Sequence, residues 1–192
     1  MDNNIFVVFV SGVLINNFVM SRFLGICPFL GVSRRLETAF GMSLSVMFVT
    51  VLSSIFTYAV YELLLKRFGI EYLYTVAFIL IIAGFVQILE MVIKKYSPAL
   101  YKSLGIYLPL LTTNCAILGV VVLNIQSRYD MLASAINAVG VSVGFALAIL
   151  LFAGIRERLV FADVPKCFQG FPIAMIIAGL MSISFFGFAG LV

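Results

Sequence analysis

A chain of 192 residues that is 64% hydrophobic and only 10% charged, with a mean hydropathy of +1.21, cannot build a water-soluble surface, since soluble domains run about 45–50% apolar and about 25% charged. The net charge of +4 does not point to nucleic acid, because the Lys and Arg residues lie in short clusters between apolar runs and leave no solvated basic face for phosphates. The chain has no His, so the commonest general base and zinc ligand are missing, and site chemistry falls to thiolates, carboxylates or a partner's groups.

A helix that crosses a membrane needs about 20 mostly apolar residues. Six stretches approach this: 5–24, 39–65, 72–93, 104–125, 131–155 and 171–192. The first follows Met1-Asp2-Asn3-Asn4, which lacks the basic start of a cleaved signal, so it is expected to stay as a helix. Tyrosines, among them Tyr58, Tyr61, Tyr96 and Tyr129, crowd the proposed ends, where an amphipathic ring suits the headgroup level. The odd connections, with the adjoining end of the first stretch, hold nine Lys and Arg residues (Arg22, Arg34, Arg35; Lys94, Lys95, Lys102; Arg156, Arg158, Lys166). The even ones hold three, Lys66, Arg67 and Arg128. That asymmetry places the odd connections in the cytoplasm and both termini outside it.

Residues 27–32 and 115–120 share the pattern C-x-x-L-G-V at a separation of 88. A looser echo follows, Leu36-Glu37-Thr38-Ala39 against Leu132-Ala133-Ser134-Ala135. The expectation is a single all-α membrane domain over 1–192, made of two three-helix halves of approximately 1–100 and 101–192. Three is odd, so the second half must be inverted relative to the first, an architecture that places its site near the midplane on interrupted helices.

The interruptions are visible in the residues. Gly25 and Pro28 flank Cys27, and Pro109 and Gly119 flank Cys115. Proline removes a helix N–H and clashes with the preceding turn, so both stretches are expected to break and to face inward, where unwound backbone is tolerated at membrane depth. Residues 25–31 must then dip back into the membrane, with backbone N–H groups of 25–31 and 114–119, Asn114 included, as donors.

A membrane cysteine is ordinarily a small hydrophobe. Cys27 and Cys115 differ in holding equivalent repeat positions beside helix breakers, which marks them as ligands of a soft centre: an iron–sulfur cluster, zinc or cuprous ion. Cys167 follows Lys166 in a charged loop without a repeat counterpart and is expected to be incidental. A [2Fe–2S] cluster normally takes four cysteines, so a complete site needs a second polypeptide, whether another copy or a related subunit. Glu37, Glu62, Glu90 and Glu157 fall near proposed ends, with Glu90 placed to pair with Lys94 at i+4, so no intramembrane carboxylate relay stands out.

These residues carry a family resemblance. Asn16-Asn17-Phe18-Val19, Phe23-Leu24-Gly25-Ile26-Cys27-Pro28-Phe29, Leu36-Glu37-Thr38-Ala39, Leu108-Pro109-Leu110, Thr112-Thr113-Asn114-Cys115-Ala116, Ile155-Arg156-Glu157-Arg158-Leu159 and Ala162-Asp163-Val164-Pro165 resemble the RnfA/NqrE family. The Rnf type fits them better than the NqrE type of the sodium-pumping NADH:quinone oxidoreductase. The resemblance implies a multi-subunit complex in a prokaryotic cell (inner) membrane, which couples electron transfer between ferredoxin and NAD to Na⁺ or H⁺ translocation. It implies a [2Fe–2S] cluster shared with the homologous subunit RnfE, two cysteines from each, and assembly with the further Rnf subunits B, C, D and G. Cys27 and Cys115 match the family's cluster positions. Two different expectations compete: a small inverted-repeat secondary transporter, with a substrate cavity and no iron, and a structural membrane subunit without cofactor. Absent deep carboxylates weaken the first, and repeat-matched thiols the second.

Overall fold

The computed structural model describes residues 13, 17–68, 73–96 and 108–187, and every regular element among them is helical. In chain order these are α1 (Ile26–Val32), α2 (Leu36–Val60, running on through π-helical Tyr61–Leu65 and Lys66–Phe68), α3 (Tyr74–Tyr96), α4 (Leu108–Thr112), α5 (Cys115–Gln126), α6 (Met131–Leu159) and α7 (Phe171–Phe186). Helices over Leu36–Leu63, Tyr74–Tyr96 and Met131–Leu159 are long and apolar enough to cross a membrane. Shorter apolar helices occupy Leu110–Gln126 and Phe171–Phe186.

Five of the six apolar stretches therefore contain helix. Most of the first, and both termini, lie outside the described residues. The described end of that stretch, 17–24, is turn rather than helix, so helix does not run to the expected boundary at 24. The fourth stretch is two helices, α4 and α5, separated at Thr113 and Asn114.

The centre is a pairing of α2 with α6, with α5 packed against both and α3 along α2. Small and hydroxylated residues make this close approach possible. Gly41, Ser43, Ser45, Ser53, Ser54 and Thr57 of α2 are buried, facing a helix that buries Ser134, Ala138, Gly140, Ser142 and Gly144. Lipid is as apolar as leucine, so membrane helices associate through tight packing and hydrogen bonds rather than through hydrophobicity. Ser43, Thr50 and Ser142 each donate to the carbonyl four residues back, which hides their hydroxyls within the helix. The main apolar cluster runs from Val19 and Phe29 through Val46, Val86, Leu111 and Phe145 to Met181, so both ends of the described chain meet one core.

Helix α1 is about 10 Å long at 1.5 Å per residue and lies against α6. Phe29 stacks on Phe152 with ring centroids 4.3 Å apart. Arg156 Nη1 donates to Leu30 O and to Ser33 Oγ, both at 2.9 Å. The first of these satisfies one of the carbonyls that every helix C-terminus leaves without an internal partner.

Candidate functional site

The first interruption is a turn held from several sides. Asn17 is buried, its Nδ2 donates to Gly144 O at 2.9 Å, and its Oδ1 accepts the Val19 N–H at 3.2 Å. Ser182 Oγ of α7 donates to Met20 O at 2.6 Å. The Leu24 N–H donates back to Phe18 O at 2.8 Å. The chain then passes through two left-handed residues, Phe23 at φ 56° and Gly25 at φ 87°, and α1 begins at Ile26.

The second interruption is a helix restart. Asn114 is extended, and its Oδ1 accepts the Ala116 N–H at 3.0 Å, the N-cap geometry that lets α5 begin at Cys115. The prolines act differently from the sequence expectation. Pro28 is the third residue of α1 and Pro109 the second of α4, first-turn positions where proline is accommodated. The breaks are made by the left-handed Gly25 and the capping Asn114.

The two interruptions meet. The Gly25 N–H donates to Cys115 Sγ at 2.9 Å, with Cys27 two residues further along the same chain. A Cβ on Gly25 would stand 3.1 Å from Ala116 Cβ and 3.2 Å from Phe145 Cε2. A Cβ on Gly119 would stand 2.8 Å from Leu24 Cδ1 and 3.3 Å from Phe18 Cε1. The two glycines thus bring the cysteine-bearing breaks into contact, one on each side of the junction.

Cys115 is half-buried there, and Cys27 is exposed. Cys27 lines an open cleft of about 640 Å³ with Ile26, Leu30, Gly31, Arg34, Phe171 and Met175. Asn114 Nδ2 is buried and has no hydrogen-bond partner among the described residues. Cys167 is exposed, in the turns between α6 and α7, and lines neither this cleft nor its neighbour. Glu90 is half-buried on α3 and lines a separate cleft with Gln87 and Thr112.

A shared [2Fe–2S] cluster fits this donor set. Among the described residues no group of three or more His, Cys, Asp or Glu gathers, and the two cysteines of the junction are the soft donors it offers. One thiol already accepts a backbone N–H, the other faces open space, and an unpaired amide N–H₂ lies at the restart. Asn17, Asn114 and Arg156 hold the junction in place; sequence reasoning named Asn114 only as a backbone donor and gave no anchoring role to the other two. Asn114 had a signal, an Asn immediately before an apolar helical run. Asn17 had none, since its partner Gly144 is 127 positions away.

A family profile described as "Rnf-Nqr subunit, membrane protein" matches residues 5–192. A relative from Acetobacterium woodii, the A subunit of its Na⁺-translocating ferredoxin:NAD⁺ oxidoreductase complex, is 57% identical over 184 residues, 96% of each chain. The A subunit of the ion-translocating oxidoreductase complex of Syntrophotalea carbinolica is 54% identical over 189 residues, 98% of each chain. Its counterpart from Shewanella oneidensis is 56% identical over 183 residues, 95% of each chain. With its apolar helices, its interrupted spans and a match from residue 5 to the last residue, the chain belongs to the Rnf-Nqr family of membrane subunits.

Proposed function

We propose that this chain is the A-type membrane subunit of an ion-translocating oxidoreductase complex, which couples electron transfer between ferredoxin and NAD to Na⁺ or H⁺ movement. Its own contribution is two thiolates, Cys27 and Cys115, to a [2Fe–2S] cluster completed by two cysteines of the homologous subunit RnfE. The Rnf subunits B, C, D and G complete the assembly in a prokaryotic inner membrane. The names of its relatives support the complex. The observation that carries the site is the 2.9 Å contact between the Gly25 N–H and Cys115 Sγ, which joins the two interrupted helices where both cysteines sit.

The chain's residues prepare the site in separable ways. The Gly25 N–H donates to Cys115 Sγ, and the start of the twelve-residue α5 at Cys115 fixes where that sulfur stands. Cys27 faces the cleft, where a neighbouring subunit's groups can reach it. Phe18, Leu24 and Phe145 close around the glycines and keep water from the unwound backbone. Asn114 Nδ2 supplies a further donor in this low-dielectric surrounding, and such donors set the potential of an iron–sulfur centre. When bound, the cluster supplies a one-electron relay inside an insulating layer of about 30 Å.

In the purified complex, Cys27→Ala and Cys115→Ala should each abolish the cluster's electron paramagnetic resonance signal and stop ferredoxin-to-NAD electron flow. Cys167→Ser should leave both near wild type. The chain purified without its partner should hold little iron. A stoichiometric cluster in the chain alone, or a signal that survives either alanine change, would overturn the shared site.

A further inference from the structure

We propose that the cleft between Arg34 and Arg156 is a binding site for the phosphate of an anionic phospholipid. This does not depend on the cluster. The cleft, of about 480 Å³, is lined by Arg34, Arg156 and Gln169 on its polar side and by Leu159, Val164 and Ile173 among its apolar residues. Arg156 is fixed by its two hydrogen bonds to α1 and its C-terminal linker, with its guanidinium 5.7 Å from the Phe152 ring centroid. Neither arginine pairs with a carboxylate among the described residues, and no Asp or Glu lines the cleft. Two guanidiniums converging on a cavity without a counter-ion make an anion site, and guanidinium matches the geometry of phosphate.

The surroundings distinguish a lipid from a soluble anion. Arg156 lies in the last turn of α6, a helix long and apolar enough to cross a membrane, with Arg34 just past the end of the short α1 and Gly170 at the start of the shorter apolar α7, so the cleft opens where a membrane-length helix ends, the level that suits a lipid headgroup. Gly170 caps α7 without any side-chain hydrogen bond, which leaves the positive end of a sixteen-residue helix at the rim. Val160 and Phe161 stand beside it 79% and 89% exposed, a poor surface for water and a fitting one for the interface. The same cleft carries an apolar wall of Leu159, Val160, Val164 and Ile173. A charged head site next to an apolar track has the chemistry of a phospholipid, and basic pockets between helices on the cytoplasmic side are where such heads bind.

Native mass spectrometry of the purified complex tests this. Phosphatidylglycerol or phosphatidylcholine is added to the detergent micelle, and the lipid retained on this chain is read after collisional release. Wild type should keep one phosphatidylglycerol that Arg34→Gln loses by about fivefold or more, while Arg34→Lys should keep most of it. Phosphatidylcholine should show no difference between the variants. Equal phosphatidylglycerol retention by wild type and Arg34→Gln overturns the proposal. So does displacement of the lipid by millimolar inorganic phosphate, which would assign the cleft to a soluble anion, or retention seen only when an acidic segment of another protein in the complex is bound. Should Arg34→Gln fail to assemble, the wild-type comparison decides: equal retention of the two lipids overturns the site.

Discussion

Gly25 combines a left-handed backbone, φ 87°, with two neighbours at 3.1 and 3.2 Å from where a Cβ would stand. Gly25→Ala should therefore cost about 1–2 kcal/mol for the backbone alone, and more once Ala116 and Phe145 give way. A lowered midpoint in thermal or detergent denaturation of the complex is the expected reading, and a midpoint equal to wild type would show that the junction is looser than described. The meeting of the two cysteine-bearing stretches was legible because a repeated C-x-x-L-G-V sets them at matched positions. Pro28 and Pro109 mislead in the sequence for a physical reason: proline breaks a helix from within but starts one from its first turn, and only the position of the restart separates the two cases. Gly25 and Asn114, the residues that do the interrupting, are the types expected for a left-handed turn and an N-cap.

Among the helices, the most connected feature is a polar network joining three of them. Asn124 Nδ2 of α5 donates to Ser54 Oγ of α2 at 2.9 Å and to Ser134 O of α6 at 3.2 Å. Its Oδ1 accepts from Asn137 Nδ2 at 2.7 Å. Within apolar surroundings a polar group left unpaired costs more than its bond contributes, so Asn124→Ala should destabilise the packed helices by about 1–2 kcal/mol. Ser184→Ala should be close to neutral, because its exposed hydroxyl reaches only the Leu180 carbonyl of its own helix. A denaturant titration that finds the two variants equal would remove the network from the forces holding α2, α5 and α6 together. Helix positions were readable because about 20 apolar residues in a row have few other uses. The division of α4 from α5 was expected near Cys115, but its site at Thr113–Asn114 was obscured by unbroken apolar composition on both sides. The network itself was not legible, since Asn124, Ser54 and Asn137 look like scattered polar residues until packing brings them together.

At the level of the whole molecule, the nine-to-three distribution of Lys and Arg predicts that both termini face away from the cytoplasm. A reporter active only in the cytoplasm, fused after Val192, should stay silent, and strong activity there would reverse the orientation. The tertiary anchors of residues 17–25 add a temporal dimension. The partners of Asn17, Met20 and Gly25 lie 127, 162 and 90 positions later in the chain. This segment leaves the ribosome before all three partners, and the most distant of these supports arrives only with Ser182 of α7. Contacts of such separation form late, because the intervening chain must first be ordered. The Cys27 arm is therefore synthesised before the helix that helps to hold it, and it gains its Ser182 support only once α7 is in place.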